Sequence, residues 1–213
     1  MSTRHSINKD VLYKIGYGLY VLSTKENQKD NACIINTLMQ VTSTGKDLCI
    51  ITVNKQNLTH DMILNTKTFN ISVLTTTAPF ELFKRFGYQP GRDADKFDGY
   101  SNFISRSNNG LIYLTQYTNA CISFSVKDTV DFGTHTMFIA EMTEGDVLNN
   151  DESVTYSYYQ QHIKPKPTSQ SQGEKKAGYR CTICNHFYEG ETLPPDYTCP
   201  ICKHGASDFV KEQ

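Results

Sequence analysis

Four cysteines near the end of the chain are the residues whose spacing points most directly to chemistry. They form two Cys-x-x-Cys pairs, Cys181 with Cys184 and Cys199 with Cys202, separated by 14 residues. Each pair can direct two thiolates from one loop, and two such loops complete a tetrahedron around a metal ion. Four soft thiolates select iron or zinc over magnesium or calcium. The spacing therefore predicts a tetrathiolate metal site and leaves its metal open between iron and zinc.

The segment that carries these cysteines, residues 179–213, is too short to fold on apolar burial alone. We therefore expect the metal to supply much of its folding free energy. Its five acidic residues outnumber its three basic ones, whereas a zinc ribbon that grips phosphates would be basic. The formal net charge of the whole chain is −1. Neither a nucleic-acid partner nor a polybasic membrane contact is expected.

The same segment resembles a rubredoxin-like domain, in the short-loop form found at the end of rubrerythrins. The similarity lies in Tyr-Arg-Cys-x-x-Cys from Tyr179, in Tyr-Glu-Gly-Glu from Tyr188, and in Pro-Pro-x-x-x-Cys-Pro-x-Cys-Lys from Pro194. The resemblance implies one redox-active iron held by the four cysteines. Asn185 and Lys203 depart from the pattern, because these domains usually have glycine after the second cysteine of each pair.

A linker is predicted over residues 164–178, which are rich in Lys, Pro, Ser, Gln and Gly and show no apolar periodicity. It would join a large domain, residues 1–163, to a small one, residues 179–213. As a flexible coil this segment spans on the order of 20 Å. That reach would let the small domain contact the large one and swing away.

The large domain is predicted to be mainly β and barrel-like, with a few short helices. A short helix is expected from Thr59, which can cap it, and another where Pro79 suits a helix start. Residues 87–110 are predicted to be a loop. The absence of βαβ alternation and of Gly-x-Gly-x-x-Gly argues against a Rossmann site. Strands are predicted over residues 11–24, 32–42, 48–53, 69–75, 111–117, 120–130 and 135–143.

The remaining cysteines and the chain's N-terminal residues bear on the compartment. Cys33, Cys49 and Cys121 lie in apolar stretches and are predicted to be small buried core residues. An odd cysteine set beside thiolate ligands fits a reducing cytoplasm. The first ten residues are polar, and no apolar run has the length of a membrane span. We therefore expect a cytoplasmic protein with no membrane partner.

Several polar motifs of the large domain resemble the flavoredoxin branch of the flavin reductase-like, FMN-binding split-barrel family. The resemblance extends over nearly all of residues 10–160 and implies a split β-barrel, FMN as cofactor, NAD(P)H as electron donor and a homodimer. The fused order of the two domains resembles the high-molecular-weight rubredoxins, which implies a flavodiiron protein as electron acceptor. The motifs are residues 36–42, 52–60, 85–87, 91–97 and 133–136.

This resemblance gives each motif a physical use. Backbone, amide and hydroxyl groups of one segment suit the flavin ring; its residues are Asn36, Thr37, Gln40, Val41 and Thr42. A helix start with polar residues nearby suits a phosphate; its residues are Asn54, Lys55, Asn57 and Thr59. The structural alternative for the first segment is a strand end whose polar groups make ordinary hydrogen bonds. For the second segment it is a plain helix N-cap.

A third group of residues lies at the end of the second predicted helix and in the loop that follows it. Arg85, Arg92 and Lys96 are candidates for phosphate or nucleotide contacts, and Phe86 and Phe97 for stacking against the cofactor. Solvated loop charges and core-filling rings are the alternatives. The resemblance also implies that His135 lies near the nicotinamide, although a single histidine in a strand is more often structural.

Taken together, these features predict an NAD(P)H-oxidising flavoprotein that passes single electrons to its own iron. FMN suits this task because a hydride carries two electrons and the iron accepts one. Two alternatives stay open. One is a flavin relay reduced by another protein, and the other is a non-enzymatic zinc-ribbon protein whose barrel holds no flavin.

Overall fold

A seven-stranded antiparallel sheet forms the larger part of the fold. The structure is a computed structural model that describes residues 8, 11, 14–165, 177–182, 186–199 and 204–212. In chain order the strands of the large domain are β1 Tyr20–Glu26, β2 Lys29–Ile35, β3 Leu38–Gln40, β4 Leu48–Asn54, β5 Thr68–Leu74, β6 Ile104–Arg106, β7 Ile112–Leu114, β8 Thr118–Asp131 and β9 His135–Val147. The prediction of a mainly β domain is confirmed.

The strand order shows that this sheet curls into a nearly closed barrel. The order is β2-β1-β5-β8-β9-β4-β3, so β2 and β3 lie at opposite edges. Yet only two residues, Asn36 and Thr37, join these two strands. Consecutive Cα atoms are 3.8 Å apart, so Ile35 and Leu38 lie within about 11 Å of each other. The two edges of the sheet must therefore meet, which is the geometry of a split barrel.

The turns of the sheet follow from local backbone preferences. Asn27 and Gln28 connect β1 to β2 with φ values of 47° and 66°. Positive φ at both central residues defines the tight hairpin turn whose twist matches the flanking strands. At the end of the β8–β9 hairpin, Gly133 has φ of 82°, a conformation that glycine adopts without steric cost.

The helices are short. Helix α1 spans Leu58–Thr66 and ends at Lys67, which adopts the left-handed conformation and donates its N–H to Ile63 O. Helix α2, Phe80–Phe83, continues as a π-helical turn over Lys84–Tyr88. Helix α3, Tyr156–Tyr158, likewise continues as a π-helical turn over Tyr159–Ile163. A 3₁₀ turn covers Ser101–Phe103.

Two apolar cores lie on opposite faces of β1, because successive strand residues point to opposite sides. Leu22 faces the barrel interior with Phe69 and Phe124, whose rings stack with centroids 4.9 Å apart. Val21 faces the other way and packs with Phe86 of the π-helical turn. The predicted burial of Cys33, Cys49 and Cys121 is confirmed, with exposures of 4%, 5% and 7%.

Several predicted element bounds are wrong. The strand expected over residues 11–24 begins only at Tyr20, and its residues 12 and 13 lie outside the described part of the chain. The single strand expected over residues 32–42 is two strands, because the chain passes there from one sheet edge to the other. The loop expected over residues 87–110 contains a 3₁₀ turn and β6.

The small domain is a three-stranded antiparallel sheet in the order β11-β10-β12. Its strands are β10 Gly178–Cys181, β11 Phe187–Glu189 and β12 Phe209–Glu212. A 3₁₀ turn, Ala206–Asp208, precedes β12. Cys181, Cys199 and Phe209 form its buried centre, with tyrosines packed around them. Across the described residues, no helix has the length and apolar character needed to cross a membrane.

Candidate functional site

A cavity of about 270 Å³ opens where four parts of the large domain meet. Its walls are β2, the stretch from the end of β4 into α1, the π-helical turn with the loop that follows it, and the start of β9, and His204 of the small domain completes the lining. These parts are distant in sequence and are brought together by the curl of the sheet. Most of its lining side chains are polar or charged, and Ile34, Leu58 and Phe86 are among the apolar ones.

The N-terminus of α1 forms one wall of this cavity. Asn57, Leu58 and Thr59 line it. Asn57 is the N-cap residue, but its side chain makes no capping hydrogen bond. The Asn57 side chain therefore does not occupy the first amide groups of α1. These groups, together with the positive end of the helix dipole, favour a phosphate or another anion.

A buried polar pair supports the start of α1 from beneath. Asn31 Nδ2 donates to Thr59 Oγ1 over 2.8 Å, and the two residues are only 2% and 1% exposed. Gly91 covers this pair so closely that a Cβ atom there would lie 2.2 Å from Asn31 Oδ1. The loop can approach the helix start only because residue 91 has no side chain.

Lys96 is a buried cation that ties two walls of the cavity together. It is 4% exposed, and its Nζ donates to Ala32 O over 2.8 Å and to Phe86 O over 3.0 Å. Burial lowers the pKa of Lys96, because its ammonium group loses contact with water. Burial also raises the pKa of the neighbouring Cys33 thiol, an effect that the charge of Lys96 opposes.

A chain of polar contacts leads from the sheet to the rim of the cavity. His60 is 3% exposed, and its Nε2 and Nδ1 lie 2.8 Å from Thr136 Oγ1 and 2.9 Å from Asp61 Oδ1. Because an ionised carboxylate only accepts hydrogen bonds, the proton of this contact sits on Nδ1 of His60. Arg92 Nη2 donates to the other oxygen of Asp61 over 2.7 Å.

These polar contacts change the pKa of Asp61. Burial alone would raise the pKa of Asp61, but its hydrogen bonds to Arg92 and His60, and their charges, hold that pKa below its ordinary value. The carboxylate therefore stays ionised and keeps Arg92 oriented at the rim of the cavity.

His135 lines the cavity from the start of β9, where it pairs with Asn54 across the β4–β9 ladder. Its Nδ1 lies 3.0 Å from Thr134 Oγ1. Burial, and to a lesser degree the neighbouring charge of His60, lowers the pKa of His135. The ring is therefore uncharged at neutral pH and can donate one hydrogen bond and accept another.

The predicted site residues divide into two groups in the structure. The residues that line the cavity are Asn54, Asn57, Thr59, Phe86, Arg92, Lys96 and His135. The residues outside it are Asn36, Thr37, Gln40, Val41, Thr42, Lys55, Phe97 and Arg85. The first group contains the anion-binding features and the second contains the segment predicted to contact the flavin ring.

The second group makes contacts elsewhere. Thr37 exchanges hydrogen bonds with Thr52, and Gln40 Nε2 donates to Thr42 O. Val41, next to β3, is 52% exposed. Lys55 Nζ donates to Asp131 Oδ2 over 2.6 Å, on the β8–β9 hairpin.

Two aromatic contacts account for the remaining members of the second group. The Phe97 ring packs against Phe86, with centroids 5.5 Å apart. The Arg85 guanidinium donates to backbone carbonyls of the same loop and lies over the Tyr100 ring.

Sequence reasoning missed several cavity residues, notably Asn31, Cys33 and Tyr88. Tyr88 OH lies 2.6 Å from Tyr159 OH, which joins the cavity wall to the end of the large domain. Asn31 offered a signal, since a polar residue inside an apolar strand needs a partner when buried. Nothing in the local pattern indicated which partner it would find.

The predicted metal centre is described in part. Cys181 and Cys199 are both 0% exposed. Cys181 N donates to His186 O over 2.9 Å, and Cys199 N donates to His204 O over 2.8 Å. The two loops thus repeat one backbone arrangement around two buried thiols, which fits a tetrathiolate centre. Cys184 and Cys202 lie outside the described residues.

Comparison with known proteins agrees with this architecture. The family profile described as a flavin reductase like domain matches residues 12–166, and that of the rubrerythrin, rubredoxin-like domain matches residues 179–210. A high molecular weight rubredoxin from Moorella thermoacetica is 37% identical, over 93% of this chain and 96% of its own length. A ferric-chelate reductase (NAD(P)H) from Archaeoglobus fulgidus is 34% identical, over 74% of this chain and 90% of its own.

The fold also has solved counterparts. The structure of an FMN-binding protein from Thermus thermophilus superposes with a TM-score of 0.59 at 17% identity, over 70% of this chain and 79% of the other. The fold and site thus define a flavin-reductase-type oxidoreductase with a mainly β barrel. The chain belongs to the flavin reductase-like family and carries a rubredoxin-like domain at its C-terminal end. The first domain implies a flavin and the second implies iron.

Proposed function

We propose that this protein oxidises NAD(P)H through FMN held in the cavity and delivers single electrons to its own tetrathiolate iron. Bound there, FMN would supply the conversion from a two-electron hydride donor to a one-electron acceptor. The iron would in turn reduce a redox protein, and we propose a flavodiiron protein that reduces dioxygen or nitric oxide. The tetrathiolate centre suits a carrier, because four protein ligands leave no open position for a substrate.

The observation that carries the proposal is the convergence of α1's N-terminus with cationic and polar groups in one cavity. Two sequence segments meet there, one around Thr59 and the other the loop that carries Arg92 and Lys96. The amide groups at the start of α1 would hold the phosphate of FMN, and Arg92 at the rim would add a charged donor. Lys96 holds the wall between β2 and the π-helical turn.

His135 would act on the nicotinamide side of the cavity. Being uncharged at neutral pH, it can hydrogen-bond a carboxamide without repelling the positive charge of an oxidised nicotinamide. The segment from Asn36 to Thr42, in which Met39, Gln40 and Val41 are exposed, lies at the β3 edge of the split barrel. We propose that it contacts the flavin ring beyond the cavity, next to a second copy of the chain in a cytoplasmic homodimer.

The two relatives support the choice of chemistry. The Moorella thermoacetica protein aligns along both domains, which favours electron transfer through a rubredoxin-type iron. The Archaeoglobus fulgidus protein aligns with the barrel and is described as using NAD(P)H. The pyridine nucleotide would therefore act at the barrel, before the iron.

An absorption spectrum of the purified protein before and after anaerobic NADH tests the proposal. We expect flavin bands and ferric-thiolate absorbance that both bleach when NADH is added, and NADPH serves as a parallel arm. A flavin that bleaches only with a reduced protein donor would favour the relay. A colourless protein with stoichiometric zinc would refute the proposal.

A second candidate function is direct reduction of a ferric chelate at the barrel, which the Archaeoglobus fulgidus relative favours. The two functions differ in their need for the small domain. Chelate reduction would persist in a Cys199→Ser variant that has lost its iron, whereas reduction of a protein acceptor through that iron would stop.

A further inference from the structure

Within its described part, the small domain contributes one residue to the lining of the large domain's cavity. His204 lines the same cavity as His135 and Asn54. A second contact lies between the start of the predicted linker and the small domain, where Lys164 Nζ donates to Thr182 O over 3.4 Å. Thr182 directly follows Cys181, so both contacts come from the metal-binding end of the small domain.

His204 is also bound directly to a metal ligand. Its carbonyl oxygen accepts the hydrogen bond from Cys199 N over 2.8 Å. One residue thus joins a buried thiolate of the metal centre to the wall of the proposed flavin site.

The other cysteine loop provides an internal comparison. His186 holds the equivalent place, because its carbonyl oxygen accepts from Cys181 N over 2.9 Å. Its ring, however, turns inward, with Nε2 3.3 Å from Tyr197 OH. Among the described residues, only the second loop contributes to the cavity lining. Two histidines with the same backbone role therefore differ in whether they face the large domain.

We propose that His204 is the docking contact through which the iron domain takes electrons from the flavin site. This inference rests on the proposed function. Each transfer moves one electron and reduces ferric iron to ferrous, and no covalent bond forms or breaks. A two-electron donor therefore supports two docking events, between which the protein acceptor reoxidises the iron. Electron transfer weakens steeply with distance, so the loop that approaches the cavity sets the rate.

The experiment compares His204→Ala with the matched control His186→Ala in the full chain, each with iron and flavin contents measured. Rapid mixing with NADH under anaerobic conditions follows flavin bleaching and ferric-thiolate absorbance together. We expect the ratio of iron reduction to flavin bleaching to fall about tenfold in His204→Ala, as when an interface contact is lost. The His186→Ala ratio should stay at the wild-type value.

A second measurement needs no electron transfer. Hydrogen exchange is followed over residues 86–92 in flavin-free, zinc-loaded full-length protein. Faster exchange in His204→Ala, with no change in His186→Ala, would support docking. The proposal would be overturned if both variants kept the wild-type ratio of iron reduction to flavin bleaching and the wild-type rate of hydrogen exchange. It would also be overturned if the two variants changed equally. Failure of the proposed function would give a different result, because the flavin of the wild-type protein would then not bleach with NADH. The hydrogen-exchange comparison would still decide whether His204 is a docking contact.

Discussion

The two cofactor sites of this chain are built in opposite ways. The cavity of the large domain gathers segments around Asn31, Thr59, Phe86 and His135, which lie far apart in sequence. The predicted metal centre lies on two short loops, and the described part of each makes the same backbone hydrogen bond. The first rests on a sheet with two apolar cores, whereas Phe209 and a few tyrosines are the apolar support of the second in its described part.

This difference indicates how each site depends on its ligand. A cavity supported by large cores keeps its shape when empty, because its walls are already packed. A three-stranded domain of this size lacks enough buried apolar surface to fold alone, so we expect it to take much of its stability from a metal. Flavin loss and metal loss should therefore have different consequences for folding.

The largest expected effect is that of Cys199→Ser. Removing one thiolate should abolish iron binding and unfold the small domain, since binding of a structural metal contributes on the order of 10 kcal/mol. The barrel should keep its flavin and its own unfolding transition. Metal analysis, visible absorption and differential scanning calorimetry measure these outcomes.

Cys121→Ser is the control for that variant, because Cys121 is a buried thiol of the barrel outside both sites. It should retain both iron and flavin. If Cys199→Ser loses its flavin as well, the two domains fold together and the contrast between the sites is refuted.

The next largest effect is expected of Gly91→Ala. The new Cβ would lie 2.2 Å from Asn31 Oδ1, and the buried Asn31 cannot move without losing its bond to Thr59. Such overpacking costs about 1 to 3 kcal/mol. We expect FMN to bind about tenfold more weakly, which corresponds to about 1.4 kcal/mol. Fluorescence titration of the flavin and urea unfolding report the two quantities.

Gly16→Ala is the matched control, because a Cβ there would meet no atom within 4 Å. Its flavin affinity should equal that of the wild type. An unchanged dissociation constant in Gly91→Ala would mean that the Asn31–Thr59 pair does not support the flavin site.

The smallest effect concerns pH and the chain of contacts through Asp61. The pKa of this carboxyl lies below its ordinary value of 3.8 in the folded state. Its contribution to stability is therefore complete above that value and is lost as the pH falls through the folded-state pKa. Since the group is 45% exposed, Asp61→Asn should lower the free energy of unfolding by no more than about 1 kcal/mol at neutral pH.

Urea unfolding between pH 3 and pH 7 (roughly the window in which carboxyls titrate) tests this expectation. The difference between wild type and Asp61→Asn should shrink toward the acid end. Glu81→Gln controls for the loss of one negative charge, because Glu81 pairs with Lys84 at 3.7 Å on an exposed helix. A difference that is constant with pH would exclude the ionised Asp61 as its source.

The sequence indicated the features that depend on neighbours along the chain. Residues 48–53 were predicted as a strand, and in β4 the residues Cys49, Ile51 and Val53 are buried between partly exposed neighbours. The two Cys-x-x-Cys pairs indicated the metal centre, because both of its loops are short. The start of α1 after Asn57 was predicted within two residues.

Contacts across the barrel decided the rest. The strand predicted over residues 32–42 is broken at Asn36, because the two halves belong to opposite edges of a closing sheet. Lys55 pairs with Asp131, and Lys96 bonds two backbone carbonyls. Both lysines lie in polar stretches of the sequence that look similar. The partners that the fold brings to them make Lys55 part of a surface ion pair and Lys96 a buried cation.

Spacing within one segment was thus enough to predict the metal loops, most of the strands and the polar turn that opens α1. The cavity, the burial of Lys96 and the placement of His204 against the barrel required the folded chain. The physical reason is that burial and hydrogen-bond partners are set by residues far away in sequence, and a local pattern carries no information about which distant groups will meet.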